Sequence, residues 1–213
     1  MRSRRLGRKF YQQPTLKVAR ELLGKYLVRK VGSKKLVGKI IETEAYIGPR
    51  DKASHAYGGK VTPRNRVEYE EGGHVYIYLV YGMYWQLNII TSRAGKPECV
   101  LIRALEVPGE DKNVASGPGK LCRYLQLDKS FYGEDLTRSK RIWIEDRGET
   151  ASPAQIERTP RIGIDYAGPY WSRKKWRFLI KPEKIRNKQK GKQIEREKKK
   201  INSSFDFNSG SVS

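Results

Sequence analysis

Ile41-Glu42-Thr43-Glu44-Ala45-Tyr46-Ile47-Gly48-Pro49-Arg50-Asp51-Lys52-Ala53-Ser54-His55 is the stretch around which the rest of this chain arranges itself. Val37 to Tyr46 is rich in β-branched residues and stops at Gly48-Pro49, so it reads as a strand. Side chains alternate with a period of two, which puts Glu42, Glu44 and Tyr46 on one face. His55 follows after a short loop, and a carboxylate, a phenol and an imidazole could converge there. The plainer alternative is a polar outer face followed by a turn histidine, and this stretch alone leaves both open.

Working outward, Tyr26 to Val31 and Leu36 to Tyr46 read as a hairpin joined by Gly32-Ser33-Lys34. Before it, Thr15 to Gly24 reads as a helix with Leu16, Ala19, Leu22 and Leu23 as its apolar stripe, Thr15 as N-cap and Gly24 as C-cap. Val75 to Tyr81 and Met83 to Thr91 form a second hairpin. Tyr81-Gly82 would be its two-residue turn, with a large aromatic at an exposed tip. Such an aromatic either packs partly against the protein or wedges between bases. Asn65 is placed to begin a helical turn, and Arg66 reads as an ordinary surface-loop residue. Cys99 to Glu106 is a further strand carrying Arg103 in an apolar setting. A buried arginine needs an anion, and Glu44, Glu106 or a phosphate could supply it. A helix is expected from near Lys120 to Leu125, behind a Ser116-Gly117-Pro118-Gly119 loop that lacks the spacing of a P-loop. Arg141 to Glu145 and Trp176 to Ile180 complete the expected strands, with a short extended segment over Thr159 to Ile164.

Charge is the strongest global property. The 213 residues hold 45 Lys+Arg against 23 Asp+Glu, a formal +22. Such an excess speaks for nucleic acid as partner, with an anionic membrane surface second. No apolar run is long enough to span a membrane, and no apolar segment follows the basic N-terminus. A DNA-containing compartment is the expectation: cytoplasm in a prokaryote, nucleus in a eukaryote. Cys99 and Cys122 have no metal-ligand spacing and read as buried thiols; no metal or cofactor is expected. Residues 1–12 read as a loose basic arm and 13–182 as one domain. Residues 183–213 read as a disordered basic tail, because residues 181–200 alone hold ten Lys+Arg and three acids, a net +7.

The chain resembles the alkyladenine (3-methyladenine) DNA glycosylase family. The resemblance rests on Ala19 to Lys25, Gly38 to Tyr46, Gly48 to Ala56, Thr62-Pro63-Arg64-Asn65, Val75 to Tyr84, Val100 to Glu106, Ser116 to Leu121 and Arg161-Ile162-Gly163-Ile164, all in the family's order. It covers about residues 15–180. One departure stands out: Val67-Glu68-Tyr69 occupies the place where the family usually carries a Met-Phe pair.

The resemblance implies an α+β fold: a single mixed domain around a curved antiparallel sheet with a protruding β-hairpin. It implies a monomeric base-excision enzyme that flips alkylated purines out of double-stranded DNA and hydrolyses the N-glycosidic bond without cutting the strand. Glu44 would be the general base and Arg103 would hold the backbone beside the attacking water. Tyr46, His55, Tyr78 and Ile162 would line the base pocket, and Asn88 would crowd the 2-amino group of guanine. Tyr81 would fill the gap left by the extruded base, with Met83, Tyr84, Arg64 and Lys120 contacting DNA. A cationic base leaves without help, whereas a neutral one such as hypoxanthine needs a proton, and no second acid is evident. A non-enzymatic binder of RNA or single-stranded DNA is the alternative, since charge and aromatics would suffice for it.

Overall fold

The strand expected from Val37 to Tyr46 runs from Lys34 to Ile47 in the computed structural model, which describes residues 3–181. In chain order the strands and α-helices are β1 (Arg4–Arg5), α1 (Arg8–Tyr11), α2 (Thr15–Glu21), β2 (Tyr26–Val31), β3 (Lys34–Ile47), β4 (Val75–Val80), β5 (Tyr84–Ile90), β6 (Glu98–Glu106), α3 (Pro118–Tyr124), β7 (Ile142–Asp146), β8 (Ile156–Thr159), α4 (Pro169–Ser172) and β9 (Arg177–Ile180). The strands form one antiparallel sheet in the order β1-β7-β2-β3-β6-β5-β4. β3 is long enough to serve two neighbours on one edge: β2 pairs with its first half and β9 with Glu42–Glu44, and β8 lies outside β9. On its other edge β3 pairs with β6 through a register irregularity around Glu42. A bulge of this kind bends the strand and strengthens its twist. The sheet does not close, and the architecture is α+β.

Alternation decides what β3 presents to each side. Thr43 is fully buried against α2, donating its hydroxyl to the Ala19 carbonyl at 2.8 Å, while Glu42, Glu44 and Tyr46 point the other way. α2 packs on β3 and β6, and α3 packs on β5 and β6. Between them lies the main core, with Val18, Leu22, Leu27, Ile40, Leu87, Ile102, Leu121 and Phe178 among its members. At about 25 cal/mol per Å² of apolar surface, this burial is the main force holding the sheet to its helices.

Several expectations need correction. The N-terminal residues 4–11 are part of the fold: Arg4 and Arg5 pair with Asp146 and Glu145, and Leu6 and Tyr11 are buried. Arg8 donates to the Gly72 carbonyl and to Asp135, both at 2.6 Å. Arg5 donates to the Thr137 carbonyl at 3.3 Å, so the side chains of Arg5 and Arg8 are spent on internal partners, which a count of charges along the sequence cannot see. Thr15 is the first residue of α2, after Pro14 in the cap position, and its hydroxyl turns inward to Thr91 and Glu98. Val18 is fully buried, whereas Leu16 only packs against the core edge. The turn between β4 and β5 spans Tyr81 to Met83, because Val80 pairs with Tyr84. The tail 183–213 lies outside the described residues. Among the described residues no helix is long and apolar enough to cross a membrane.

Candidate active site

The outward-facing half of β3 meets β6 at a cluster of charges. Glu42 accepts from Arg103 Nε at 2.8 Å and from Arg177 Nε at 2.5 Å. Arg103 Nη1 lies 3.4 Å from Glu44 Oε1. Arg103 is therefore held by Glu42 and Glu44; Glu106 lies nearer Lys39, at 3.9 Å. The side chain of Glu44 is fully buried, yet it is well supplied with donors. The Ile162 N–H donates to Oε1 at 2.9 Å and the Tyr46 hydroxyl to Oε2 at 2.9 Å. Burial pushes the Glu44 carboxyl above its ordinary range, and Arg103, the Ile162 amide and the Tyr46 hydroxyl oppose that rise.

In front of this cluster is a cavity of about 480 Å³. Arg103, Tyr46 and Ile162, the three residues bonded to Glu44, all line it, and Glu44 sits one side chain behind its wall. His55 and Tyr78 form an opposite wall, with ring centroids 4.6 Å apart in an edge-on arrangement. His55 Nδ1 is 2.7 Å from the Tyr76 hydroxyl. Burial, with Arg64 nearby, holds the His55 imidazole down to about 4, so it is neutral near pH 7. Asn88 is buried at the deep side, within 3.8 Å of Cys99 Sγ. The cavity thus combines aromatic walls, two arginines (Arg103 and, at the rim, Arg64) and a set of buried polar groups, the usual make-up of a small-ligand site.

Of the candidate site residues, Tyr46, His55, Tyr78, Asn88, Ile162 and Arg103 all line this one cavity. Tyr81 stands at the hairpin tip on the rim of the cavity, 87% exposed, and adopts a positive φ of 52° although it is not glycine. Met83 is exposed beside it. Arg64 is also exposed at the rim, its guanidinium 5.2 Å from the centre of the Tyr78 ring. Tyr84 does not reach the cavity. Its ring packs on α3, where a Cβ added at Gly119 would come within 2.9 Å of it. Lys120, next on that helix, is exposed and does not line the cavity.

Three contributors escaped the sequence reading. Tyr76 shares a strand face with Tyr78, which was the available signal, and it lines the same cavity. Arg161 and Asp51, 110 residues apart, form a fully buried bidentate pair. Arg161 also donates to the Ala45 carbonyl at 3.0 Å and lies over the rings of Tyr46 and Trp176. This pair fixes the loop after β3 to the segment carrying Ile162, and so delivers the Ile162 N–H to Glu44. The third is Glu68, which also lines the cavity.

A family model described as methylpurine-DNA glycosylase matches residues 9–184. The chain belongs to that family. It is 42% identical over 201 residues to the mouse DNA-3-methyladenine glycosylase, covering 84% of this chain and 60% of the mouse protein. With the human protein of the same name it shares 40% over 201 residues, 83% of this chain and 66% of the human one. A Methanocella arvoryzae protein, provisionally named a 3-methyladenine DNA glycosylase, is 46% identical over 191 residues, 83% of this chain and 92% of its own length. The chain thus spans less than two thirds of the two mammalian relatives and nearly all of the archaeal one. The methylpurine-DNA glycosylase family is one of enzymes of base-excision repair, and the non-enzymatic binder finds no support among these relatives.

Proposed function

We propose that this protein excises alkylated purines of the 3-methyladenine type from duplex DNA by hydrolysing the N-glycosidic bond, leaving an abasic site. The observation that carries the reading is a buried carboxylate held by three groups that all face one aromatic-walled cavity. A base stacked in a duplex is out of reach, so the target nucleotide must be extruded into that cavity. An N-alkylated purine is a cation, and the faces of Tyr46 and Tyr78 attract cations in preference to neutral purines. His55, kept neutral by burial, adds no opposing charge. To Asn88, buried at the cavity wall, this reading gives the part of crowding a guanine 2-amino group.

As the C1′–N bond stretches, positive charge builds on the sugar. Glu44 stabilises that charge and takes the proton of the attacking water, a role worth about 10²–10⁴ in rate. Arg103 favours the ionised form of Glu44 against its burial and offers its cationic edge to a backbone phosphate at the cavity mouth. Tyr81 occupies the space the extruded base vacates, with Met83 and Arg64 beside it on the DNA side. Tyr84 and Lys120 meet the backbone from the α3 side of the hairpin. No lysine nucleophile is used, so the strand stays intact, and one protein molecule acts on one lesion. Because only ionised Glu44 accepts a proton, the rate falls on the acid side at a pH above the ordinary glutamate range. The test is a panel of duplexes with one defined lesion each, scored for abasic sites. Release of 3-methyladenine with an uncut strand is the expected result; binding without release would reject the reading.

A further inference from the structure

Glu68 follows from no part of the mechanism above. It sits in the short 3₁₀ turn Arg66–Tyr69, is 1% exposed and lines the cavity beside Cys99, Asn88, Tyr76 and Tyr78. Its Oε2 is buried without a hydrogen-bond partner among the described residues. Its Oε1 has only the weakly polar Cys99 Sγ, at 3.7 Å. Elsewhere at this cavity the fold supplies a buried carboxylate with donors, as at Glu44. At Glu68 the described residues supply only that thiol, and an uncompensated buried charge is expensive.

The groups facing Glu68 are of one kind. Cys99 comes from β6, Tyr76 and Tyr78 from β4, and Tyr69 from its own turn, all neutral, and none of the three hydroxyls is hydrogen-bonded to Glu68. The Tyr132 hydroxyl is engaged with the Val67 N–H at 3.2 Å. His55 is neutral and bonded to Tyr76, while Arg64 is directed to the Tyr78 ring and the Leu79 carbonyl at the rim. Burial therefore pushes the Glu68 carboxyl up to about 8, leaving it protonated near pH 7. A protonated carboxyl has one O–H to donate, and among the described residues nothing accepts it strongly.

We propose that Glu68 is the proton donor through which this cavity releases neutral purines as well as cationic ones. The inference rests on the reading of the cavity as the pocket for a flipped base. A cationic purine leaves as a neutral molecule when the C1′–N bond breaks. A neutral purine takes the bonding pair and would leave as an anion unless a ring nitrogen is protonated. Glu68 supplies that proton as the bond breaks, becoming a carboxylate. Water adds to C1′ and gives its proton to Glu44. The balance is one water consumed, one neutral base and one sugar hydroxyl formed, and a net transfer of one proton from Glu68 to Glu44. Solvent exchange after release restores both.

The experiment compares single-turnover release of hypoxanthine, as the neutral probe, and 3-methyladenine, as the cationic one, from otherwise identical duplexes. For the wild type, hypoxanthine release should fall off above about pH 8, and 3-methyladenine release should lack that limb. Glu68→Gln keeps the shape but holds no transferable proton, and should lower the hypoxanthine to 3-methyladenine rate ratio roughly 10²-fold. Glu68→Met, apolar and similar in size, should do the same and guards against misfolding of the Gln variant. An unchanged ratio in either folded variant would overturn the proposal, because equal slowing of both bases means a packing role. Wild-type release of 3-methyladenine without hypoxanthine would also overturn it while leaving the pocket reading intact. Release of neither base would overturn both.

Discussion

Glu44 and Glu68 are two glutamates buried at one cavity, and the fold treats them in opposite ways. On the β3–β6 side Glu44 is met by a guanidinium, a backbone amide and a phenol. Between β4 and β6 Glu68 is met by the Cys99 thiol and aromatic rings, and one of its oxygens has no hydrogen-bond partner among the described residues. Burial raises the pKa of both, but only at Glu44 do strong opposing interactions accompany it. The difference teaches that burial alone does not assign a carboxyl its task; the donors around it decide whether it holds a charge or a proton. A site with one of each can run base and acid chemistry at one pH.

The largest expected effect is at the charged end. Glu44→Gln keeps the volume and one acceptor but cannot take a proton, so excision of every base should fall by about 10²–10⁴ while lesion binding persists. Near wild-type excision by this variant would move the role to another carboxylate, with Glu42 next on the same strand face. The same end also depends on the Asp51–Arg161 pair. Asp51→Ala leaves a buried guanidinium uncompensated and should cost about 3–5 kcal/mol, read from denaturant unfolding. A cost under about 1 kcal/mol would mean that the pair does not organise this wall.

The neutral end makes a prediction about the pH dependence of stability, with a definite sign. The folded pKa of Glu68 is raised from 4.5 to about 8. The unfolded chain therefore loses this proton first, and the contribution is complete below the unfolded pKa and lost as pH rises through the folded one. The loss proceeds at up to about 1.4 kcal/mol per pH unit for one group. Glu68→Gln should remove this fall, so the stability difference between variant and wild type should grow in the variant's favour between about pH 5 and pH 8. A difference independent of pH would show that the fold does not raise the Glu68 pKa above its unfolded value.

How much of this was legible in the sequence follows the range of the interactions. The face shared by Glu42, Glu44 and Tyr46 depends on backbone alternation within five residues, and it holds. The β4–β5 hairpin is equally local, and only its turn is a residue longer than expected. The partner of Arg103 was open between Glu44 and Glu106 because register across β3 and β6 is set by a bulge that no local pattern announces. Arg5 and Arg8 looked like a free arm because their partners lie more than sixty residues away. Glu68 was visible as an unexpected residue in the Val67-Glu68-Tyr69 run. Its burial depends on β4 and β6 closing over the turn, so its chemistry could not be read from the run itself.

The smallest effect on the protein itself is expected outside the cavity, at the hairpin tip. Tyr81 shares the rim with Arg64, yet it has none of the packing that fixes either glutamate: it is 87% exposed. Its left-handed backbone disfavours a residue with a Cβ, by roughly 1 kcal/mol. Neither burial nor backbone preference explains a tyrosine there, so its value should lie in what it touches when DNA is bound. Tyr81→Ser keeps the backbone penalty and removes the ring. The melting temperature should stay within about 2 °C, because surface substitutions away from buried features rarely exceed ±0.5 kcal/mol. Binding to a lesion duplex should weaken by about tenfold, the worth of roughly one aromatic–base stacking contact. Free-base release at saturating enzyme should fall less than in Glu44→Gln, since the cavity and its two carboxyls are untouched. A large drop in melting temperature would show instead that the ring packs against the protein in solution, and the tip would join the glutamates as part of the folded interior.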